Sequence, residues 1–304
     1  MQPDEPGNRA ERLSVEVPNG FLEVVAGPVP PALPVVCAAH PAGVFGESAV
    51  ALLRGMAGAS VVCVNPRGIG QSSPPSPGAA RYTLESMADD VDAVRQRLGI
   101  ARWVFWGMSG GGWLGQACAS RYPDSLTGLI LESTCSCFRL RLADPVCILS
   151  PFHPSWRPAL ERVGLIAADS HTAAGDADAT EWIDVDGVGA VFRRRGGPAL
   201  LVSPTPVTPE MRAAMPLLWT VDLRGSLRQI RAPTLVIGGS ADPIAPLPHV
   251  RSLHDAIAGS TLLTVDGGGH VPTTARSPEV REAVRSFLHT LAGSAPPSAR
   301  IREP

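Results

Sequence analysis

The sequence feature that most constrains this chain is a glycine-serine motif at a point where a strand must turn into a helix. Residues 103–106 are a short apolar run of strand-forming residues, and residues 110–121 can continue compactly only as a helix. Between them lies Gly107-Met108-Ser109-Gly110-Gly111. So sharp a turn strains the serine backbone and leaves no room for side chains two residues before and after it. The motif predicts Ser109 as a nucleophile at a helix N-terminus, where unpaired amides favour negative charge.

Two other interpretations of the same glycines must be weighed. Gly110, Gly112 and Gly115 match the spacing of a dinucleotide-binding loop, and Glu132 falls near the position of a ribose-binding acid. Such a loop usually opens the first strand-helix unit of a domain, whereas this one lies a third of the way along the chain. The second alternative is a purely structural glycine-rich turn. Residues far away in the sequence must therefore distinguish a nucleophile turn from these two alternatives.

The amino-acid composition excludes some kinds of catalysis and ligand binding. All 26 basic residues among the 304 are arginines, which excludes Schiff-base chemistry and the phosphate-binding P-loop, since both need a lysine amine. A net charge of -2 gives no sign of nucleic-acid or membrane binding. The polar N-terminus lacks a signal peptide, so we expect a cytoplasmic protein. The six cysteines show no zinc spacing, and we interpret Cys135 and Cys137 as surface or lid thiols.

Strands and helices alternate in two parts of the chain, residues 1–132 and 228–292. The connections between successive strands are too long for hairpins, apart from one hairpin near the N-terminus. This pattern predicts an α/β fold whose mostly parallel central sheet is covered by helices on both faces. The expected strands cover residues 13–17, 21–26, 33–39, 60–65, 103–106, 126–132, 233–238 and 261–265.

The alternation stops in residues 133–227, which carry prolines, an acidic tract and a run of three arginines. Helical fragments are expected at residues 156–165 and 209–218, and no clean strand is expected. We interpret the segment as a mainly helical lid inserted over the sheet edge. The tail, residues 293–304, contains proline and serine and is expected to be disordered.

A serine hydroxyl needs a base, and the base needs an orienting carboxylate. Asp242 lies just beyond the buried strand at residues 233–238 and is the candidate acid. His270 follows the last strand and three glycines, which suit a turn that brings an imidazole close to another backbone. Asp266 competes as the acid, but its place so near the histidine favours a role in the turn. The other histidines fall in predicted helices or in the insertion.

Taken together, these motifs resemble the α/β-hydrolase superfamily over residues 13–132 and 230–291. The resemblance implies Ser109 as nucleophile, Asp242 as acid and His270 as base. It rests on residues 107–111 together with the motifs at residues 40–43, 65–72, 238–243 and 269–270. Within the superfamily, the Pro-Arg-Gly-x-Gly-x-Ser loop is similar to that of the proline iminopeptidase group, although the other signatures of that group are altered.

The resemblance also implies an oxyanion hole made by two backbone amides. Gly110 supplies the first. Family members usually have glycine after the loop histidine, but here Pro41 has no N–H, so Ala42 is the predicted second donor. We further expect a substrate pocket lined by His40, Met108, Phe152, His153, Trp156, Trp182 and Trp219.

The resulting expectation is a serine hydrolase that cleaves an ester, lactone or thioester of a small to medium organic acid through an acyl-enzyme. No metal or organic cofactor is needed, and the expected partner is a small-molecule substrate. One alternative is an aminopeptidase in which Glu181, Asp184 or Asp186 binds the substrate amine. Another, of a different class, is a non-hydrolytic cyclase or acyltransferase on the same scaffold.

Overall fold

Eleven strands and eight helices occur in the part of the chain that the computed structural model describes, residues 10–27, 34–75, 82–165, 180–197, 199–204, 206–271 and 277–293. The strands are β1 (Glu11–Val17), β2 (Gly20–Ala26), β3 (Val35–Ala39), β4 (Ser60–Asn65), β5 (Trp103–Met108), β6 (Leu126–Glu132), β7 (Thr180–Val185), β8 (Gly189–Arg194), β9 (Ala199–Ser203), β10 (Thr234–Gly239) and β11 (Thr261–Val265). The helices are α1 (Glu47–Ala57), α2 (Leu84–Arg97), α3 (Gly111–Arg121), α4 (Phe138–Ala143), α5 (Arg157–Arg162), α6 (Pro209–Leu218), α7 (Leu247–Ala256) and α8 (Pro278–Gly293).

The central sheet has the strand order β1-β2-β4-β3-β5-β6-β10-β11. Strand β2 pairs antiparallel with β1 and with β4, and every other neighbouring pair in this sheet is parallel. The prediction of a mostly parallel sheet is therefore confirmed. Because parallel strands end at the same edge, the loops after β5, β10 and β11 all lie along one side of the sheet.

Both faces of the sheet are covered, as the uninterrupted apolar strands predicted. Strand β5 shows the arrangement, because its side chains alternate between the two cores. Trp103 and Phe105 pack into the core shared with α2, α3 and α7, and Val104 and Trp106 pack into the core shared with α1 and α8. No helix within the described ranges is both long enough and apolar enough to cross a bilayer.

The insertion differs from the prediction because it contains a sheet. Strands β7, β8 and β9 form a three-stranded antiparallel sheet beside helices α4, α5 and α6, so the expectation of no strand in residues 133–227 was wrong. Both faces of this small sheet are covered. Val191 packs into a separate core with Leu160, whereas the adjacent Phe192 packs into the main core. Cys135 and Cys137 are buried and are not surface thiols.

A buried ion pair fixes the loop after β4. The Nε atom of Arg67 donates to Asp90 at 2.7 Å, and Nη2 donates to the other carboxylate oxygen at 2.9 Å. The same guanidinium donates to the carbonyl oxygens of Pro18 and Asn19 in the β1-β2 turn. Arg67 thus joins this loop, the N-terminal hairpin and helix α2.

Replacing Arg67 by methionine should destabilise the protein by about 3 to 5 kcal/mol, because Asp90 would remain buried without its partner. Urea denaturation followed by tryptophan fluorescence measures the loss. The control is Arg121→Met, whose ion pair with Asp89 is exposed and is expected to contribute at most about 1 kcal/mol. Similar losses in the two variants would contradict the role assigned to Arg67.

Candidate active site

The turn between β5 and α3 explains the spacing of the glycine-serine motif. Ser109 has a φ of 51°, a strained value for a residue with a side chain. A Cβ atom on Gly107 would lie 2.5 Å from the carbonyl oxygen of Gly111, and one on Gly111 would lie 2.5 Å from that of Ala39. Neither position can therefore hold a larger residue. A hydrogen bond from the Ser109 amide to the Glu132 carbonyl oxygen, 2.9 Å long, holds this strained backbone in place.

The three side chains predicted from the sequence lie within hydrogen-bond distance of one another. His270 Nε2 is 3.0 Å from Ser109 Oγ, and His270 Nδ1 is 2.9 Å from Asp242 Oδ2. A neutral imidazole that donates its Nδ1 proton to the carboxylate has a lone pair on Nε2 for the serine hydroxyl. The arrangement can therefore remove a proton from Ser109.

The carboxylate of Asp242 is held in its charged form. Burial acts to raise its pKa, but hydrogen bonds from His270 and from the backbone amides of Ala245 and Ile244 outweigh burial, so the pKa lies below its usual value. Each amide is 2.8 Å from Oδ1. A charged, fully buried carboxylate in this position fixes the orientation of the imidazole.

Close contacts fix the position of the loop that carries His270. A Cβ atom on Gly239 would lie 2.1 Å from the carbonyl oxygen of Gly268, which matches the close approach expected for the three glycines. Ser133 Oγ accepts a hydrogen bond from the Val271 amide at 3.0 Å. No pattern in the sequence indicated this contact of Ser133. Asp266 accepts a hydrogen bond from Ser240 Oγ, which links the loop after β11 to the loop after β10.

The structure offers no support for a dinucleotide site at these glycines. Glu132 is fully buried and accepts a hydrogen bond from Trp106 Nε1 at 3.0 Å, so its carboxylate does not face a ligand.

Two of the other histidines form hydrogen bonds from helix α7, where His249 pairs with Asp144 and His254 with Ser260. His171 lies outside the described residues. Within those residues, no three His, Cys, Asp or Glu side chains cluster closely enough to hold a metal ion.

The two predicted oxyanion donors, the amides of Gly110 and Ala42, differ in whether they already have a hydrogen-bond acceptor. Gly110 N–H has no backbone acceptor among the described residues. The Ala42 amide, in contrast, donates to His40 Nδ1 at 3.0 Å and is not available in this arrangement. Burial, and secondarily the charge of His270, lowers the pKa of His40 to about 4. The neutral ring therefore carries its proton on Nε2, which would lie 2.9 Å from a methyl group placed on Gly110.

A cavity of about 200 Å³ lies over Ser109. Of the predicted pocket residues, His40 and Trp182 line it, whereas Met108, Phe152, His153, Trp156 and Trp219 do not. The aromatic residues among these five have other packing partners. Phe152 and Trp156 pack against the separate core of the insertion, and Trp219 packs against the rings of Phe138 and Phe192.

The cavity has a positive charge that the sequence did not reveal. Its wall is mostly apolar, with Trp113 from α3, Phe138 from α4 and Met211 from α6, and it includes the buried Arg141. The guanidinium carbon of Arg141 lies 4.7 Å from the ring centre of Phe138 and 5.5 Å from that of Trp113. None of the described lining residues is an aspartate or a glutamate.

Two family models match the chain. One, described as the alpha/beta hydrolase fold, matches residues 43–158, and the other, described as TAP-like protein, matches residues 208–298. The first match contains the turn with Ser109, and the second contains Asp242 and His270. The sheet topology and these matches together define the class: the chain has the alpha/beta hydrolase fold and is a hydrolytic enzyme.

Individual relatives make the likeness more specific. The chain is 27% identical to the pimeloyl-[acyl-carrier protein] methyl ester esterase of Xylella fastidiosa, over 71% of this chain and 83% of the relative. It is 23% identical to 3-oxoadipate enol-lactonase 2 of Acinetobacter baylyi, over 75% and 78%. The solved proline iminopeptidase of Mycobacterium smegmatis superposes with a TM-score of 0.66 at 22% identity, over 94% of this chain and all of that one. A proline iminopeptidase of Lactobacillus helveticus is 24% identical over 76% of this chain and 80% of the relative, which confirms the resemblance to that group.

The lowered pKa of His40 should make stability depend on pH. The unfolded chain binds a proton at His40 near pH 6.5 and the folded chain only near pH 4, so this residue should reduce stability as the pH falls between these values. From pH 7 to 4.5 the loss attributable to His40 should be about 2 to 3 kcal/mol. Urea denaturation at the two pH values measures it. Between the two pH values, His40→Gln should lose about 2 to 3 kcal/mol less stability than the wild type. Equal losses in the two proteins would contradict a lowered pKa for His40.

Proposed function

We propose that this protein is a serine hydrolase that cleaves a carboxylic ester, lactone or thioester through an acyl-enzyme on Ser109. The observation that carries the proposal is the continuous hydrogen-bonded chain from Ser109 through His270 to Asp242. The position of Ser109 over a mostly apolar cavity supports it, because an acyl group could bind there next to the nucleophile.

In the first half of the reaction, His270 Nε2 takes the hydroxyl proton while Ser109 Oγ forms a bond to the carbonyl carbon. The carbonyl electron pair moves to oxygen and makes an oxyanion. When the carbonyl reforms, the bond to the leaving oxygen or sulfur breaks, and that atom takes the proton from His270. In the second half, water gives a proton to His270 and attacks the acyl-enzyme, and the free acid leaves Ser109 with its proton restored.

The oxyanion would be held by the Gly110 amide and by the side chain of His40, instead of the amide of Ala42. The ring accepts the Ala42 proton at Nδ1 and so presents a proton at Nε2, next to Gly110. Its low pKa keeps the ring neutral near pH 7, so Nε2 keeps its proton as a hydrogen-bond donor for the oxyanion. One side-chain donor and one backbone donor would then replace the two amides expected from the sequence.

The charge of the cavity favours an acyl substrate over the free amine of an aminopeptidase substrate. An ammonium group needs a carboxylate, and none is present on the described cavity wall, where Arg141 is positive instead. Glu181, a predicted amine ligand, does not line the cavity and is paired with Arg193 at 2.8 Å. Relatives of similar identity are named as an ester esterase, an enol-lactonase and a proline iminopeptidase, so the choice rests on the charge of the cavity.

The direct test uses a fluorophosphonate probe and a chromogenic acyl ester. The wild type should be labelled at Ser109 and should release the free acid, which mass spectrometry distinguishes from a cyclised or transferred product. Ser109→Ala should lose labelling and turnover. Asp242→Asn should reduce kcat by roughly 10⁴-fold because the imidazole would be held in the wrong tautomer. Labelling or turnover that persists in Ser109→Ala would overturn the proposal.

His40→Phe tests the side-chain donor. Loss of one oxyanion donor should lower kcat by about 10²- to 10³-fold with little change in KM, because the bond forms only in the transition state. His40→Gln, which retains an N–H donor, is the matched control and should keep more of the activity. Ester hydrolysis kinetics at pH 7 measure both variants. Equal rates for His40→Phe and the wild type would show that the ring does not hold the oxyanion.

A further inference from the structure

The side chain of Arg141 is a buried cation without an anionic partner among the described residues. It is only 3% exposed, and its Nε and Nη1 atoms have no hydrogen-bond partner within the described part of the chain. A guanidinium stays charged at every pH a protein experiences. An unpaired charge is costly to bury, and stacking on Phe138 and Trp113 offsets only part of that cost.

The groups around Arg141 do not neutralise it. Asp144, the nearest acid along the chain, is hydrogen-bonded to His249 Nε2 at 2.9 Å. Cys135 and Cys147 are close enough for Arg141 to favour their thiolates, but burial is the larger effect and raises the pKa of both thiols. The thiols therefore stay protonated. The positive charge faces the cavity without compensation from these neighbours.

The position of Arg141 separates it from the reacting carbonyl. Its guanidinium stacks on the ring of Trp113, and the Cζ3 atom of the same ring would lie 3.5 Å from a methyl group on Gly110. One aromatic ring thus touches both the turn that carries Ser109 and the cation. Trp182 Nε1, on the cavity wall, is a second buried donor without a partner among the described residues. Both donors suit oxygen acceptors on a bound molecule.

The size of the cavity favours a short acyl group. A volume of about 200 Å³ holds roughly seven water-sized groups at about 30 Å³ each. This room suits an acyl chain of about four to six carbons with one polar end. The apolar walls would contact the methylene groups between the two ends.

We propose that Arg141 binds a carboxylate at the far end of the acyl group, so that the substrate is a half-ester, half-thioester or lactone of a short dicarboxylic acid. This inference rests on the proposed function for the acyl-enzyme at Ser109. Bidentate pairing of guanidinium with carboxylate would supply the missing partner of Arg141 and would fix the distance from the cation to the scissile carbonyl.

The test compares substrates that differ only at the far end. Monomethyl glutarate carries a carboxylate, methyl pentanoate a methyl group, and methyl 5-amino-5-oxopentanoate a neutral amide of similar shape. Acid release in a pH-stat gives kcat/KM for each. The wild type should prefer the carboxylate ester over both neutral esters by roughly 10- to 150-fold, the range expected for hydrogen bonds to a charged group. Equal or slower hydrolysis of the carboxylate ester would overturn the proposal without any variant.

Arg141→Met tests the residue itself. Methionine keeps an unbranched apolar chain without the guanidinium, so the preference should fall to within about twofold of unity. Arg139→Met is the matched control, because Arg139 lies on the same helix but does not line the cavity. That variant should keep the wild-type preference. A preference in Arg141→Met as large as in Arg139→Met would overturn the proposal.

A binding measurement separates this inference from the proposed function. Glutarate is titrated calorimetrically into Ser109→Ala protein and into the Ser109→Ala, Arg141→Met double variant. The double variant should bind at least about 10-fold more weakly. If no ester is cleaved and the fluorophosphonate does not label Ser109, the proposed function fails, but this difference in binding would still support the carboxylate site. Equal binding by the two proteins would overturn the site even in an active hydrolase.

Discussion

The close backbone contact at the turn between β5 and α3 is the constraint on which the rest of the structure depends. At Gly107 and Gly111 the chain passes so near to itself and to the end of β3 that a Cβ atom would overlap a carbonyl oxygen. This contact holds Ser109 at positive φ and sets its hydroxyl at the sheet edge. A second contact, between Gly239 and the loop before His270, brings the imidazole to that hydroxyl. The candidate site is therefore fixed mainly by backbone, and its hydrogen bonds need little rearrangement to form.

Local patterns in the sequence were enough to predict much of this. Apolar runs identified the strands, the long connections indicated that they are parallel, and the glycines marked the places where backbone segments touch. Ser109, Asp242 and His270 each follow a strand. Because parallel strands end at a common edge, these positions were enough to predict that the three side chains lie close together. Each step used only neighbouring residues and the general geometry of a parallel sheet.

The features that the sequence did not predict depend on tertiary surroundings. Arg139 and Arg141 are two residues apart on one short helix, and only the packed structure shows which of them is enclosed in the cavity. The orientation of the His40 ring, which occupies the Ala42 amide, is likewise set by the folded loop. Strands β8 and β9 were missed because their residues are buried on both faces, which removes the polar-apolar alternation of an exposed sheet. The Asp-Gly pair at residues 186–187 was a hairpin signal inside a tract that was interpreted only as charged.

The insertion is one continuous stretch, and its place in the chain has an evolutionary consequence. Ser109, Asp242 and His270 sit at strand ends of the central sheet, whereas Arg141 and most of the cavity wall come from residues 133–227. Changes within that stretch can alter which molecules are admitted while the reaction chemistry at the sheet edge stays the same. A scaffold divided in this way can acquire new selectivity by rewriting a single segment, without first having to rebuild its catalytic apparatus.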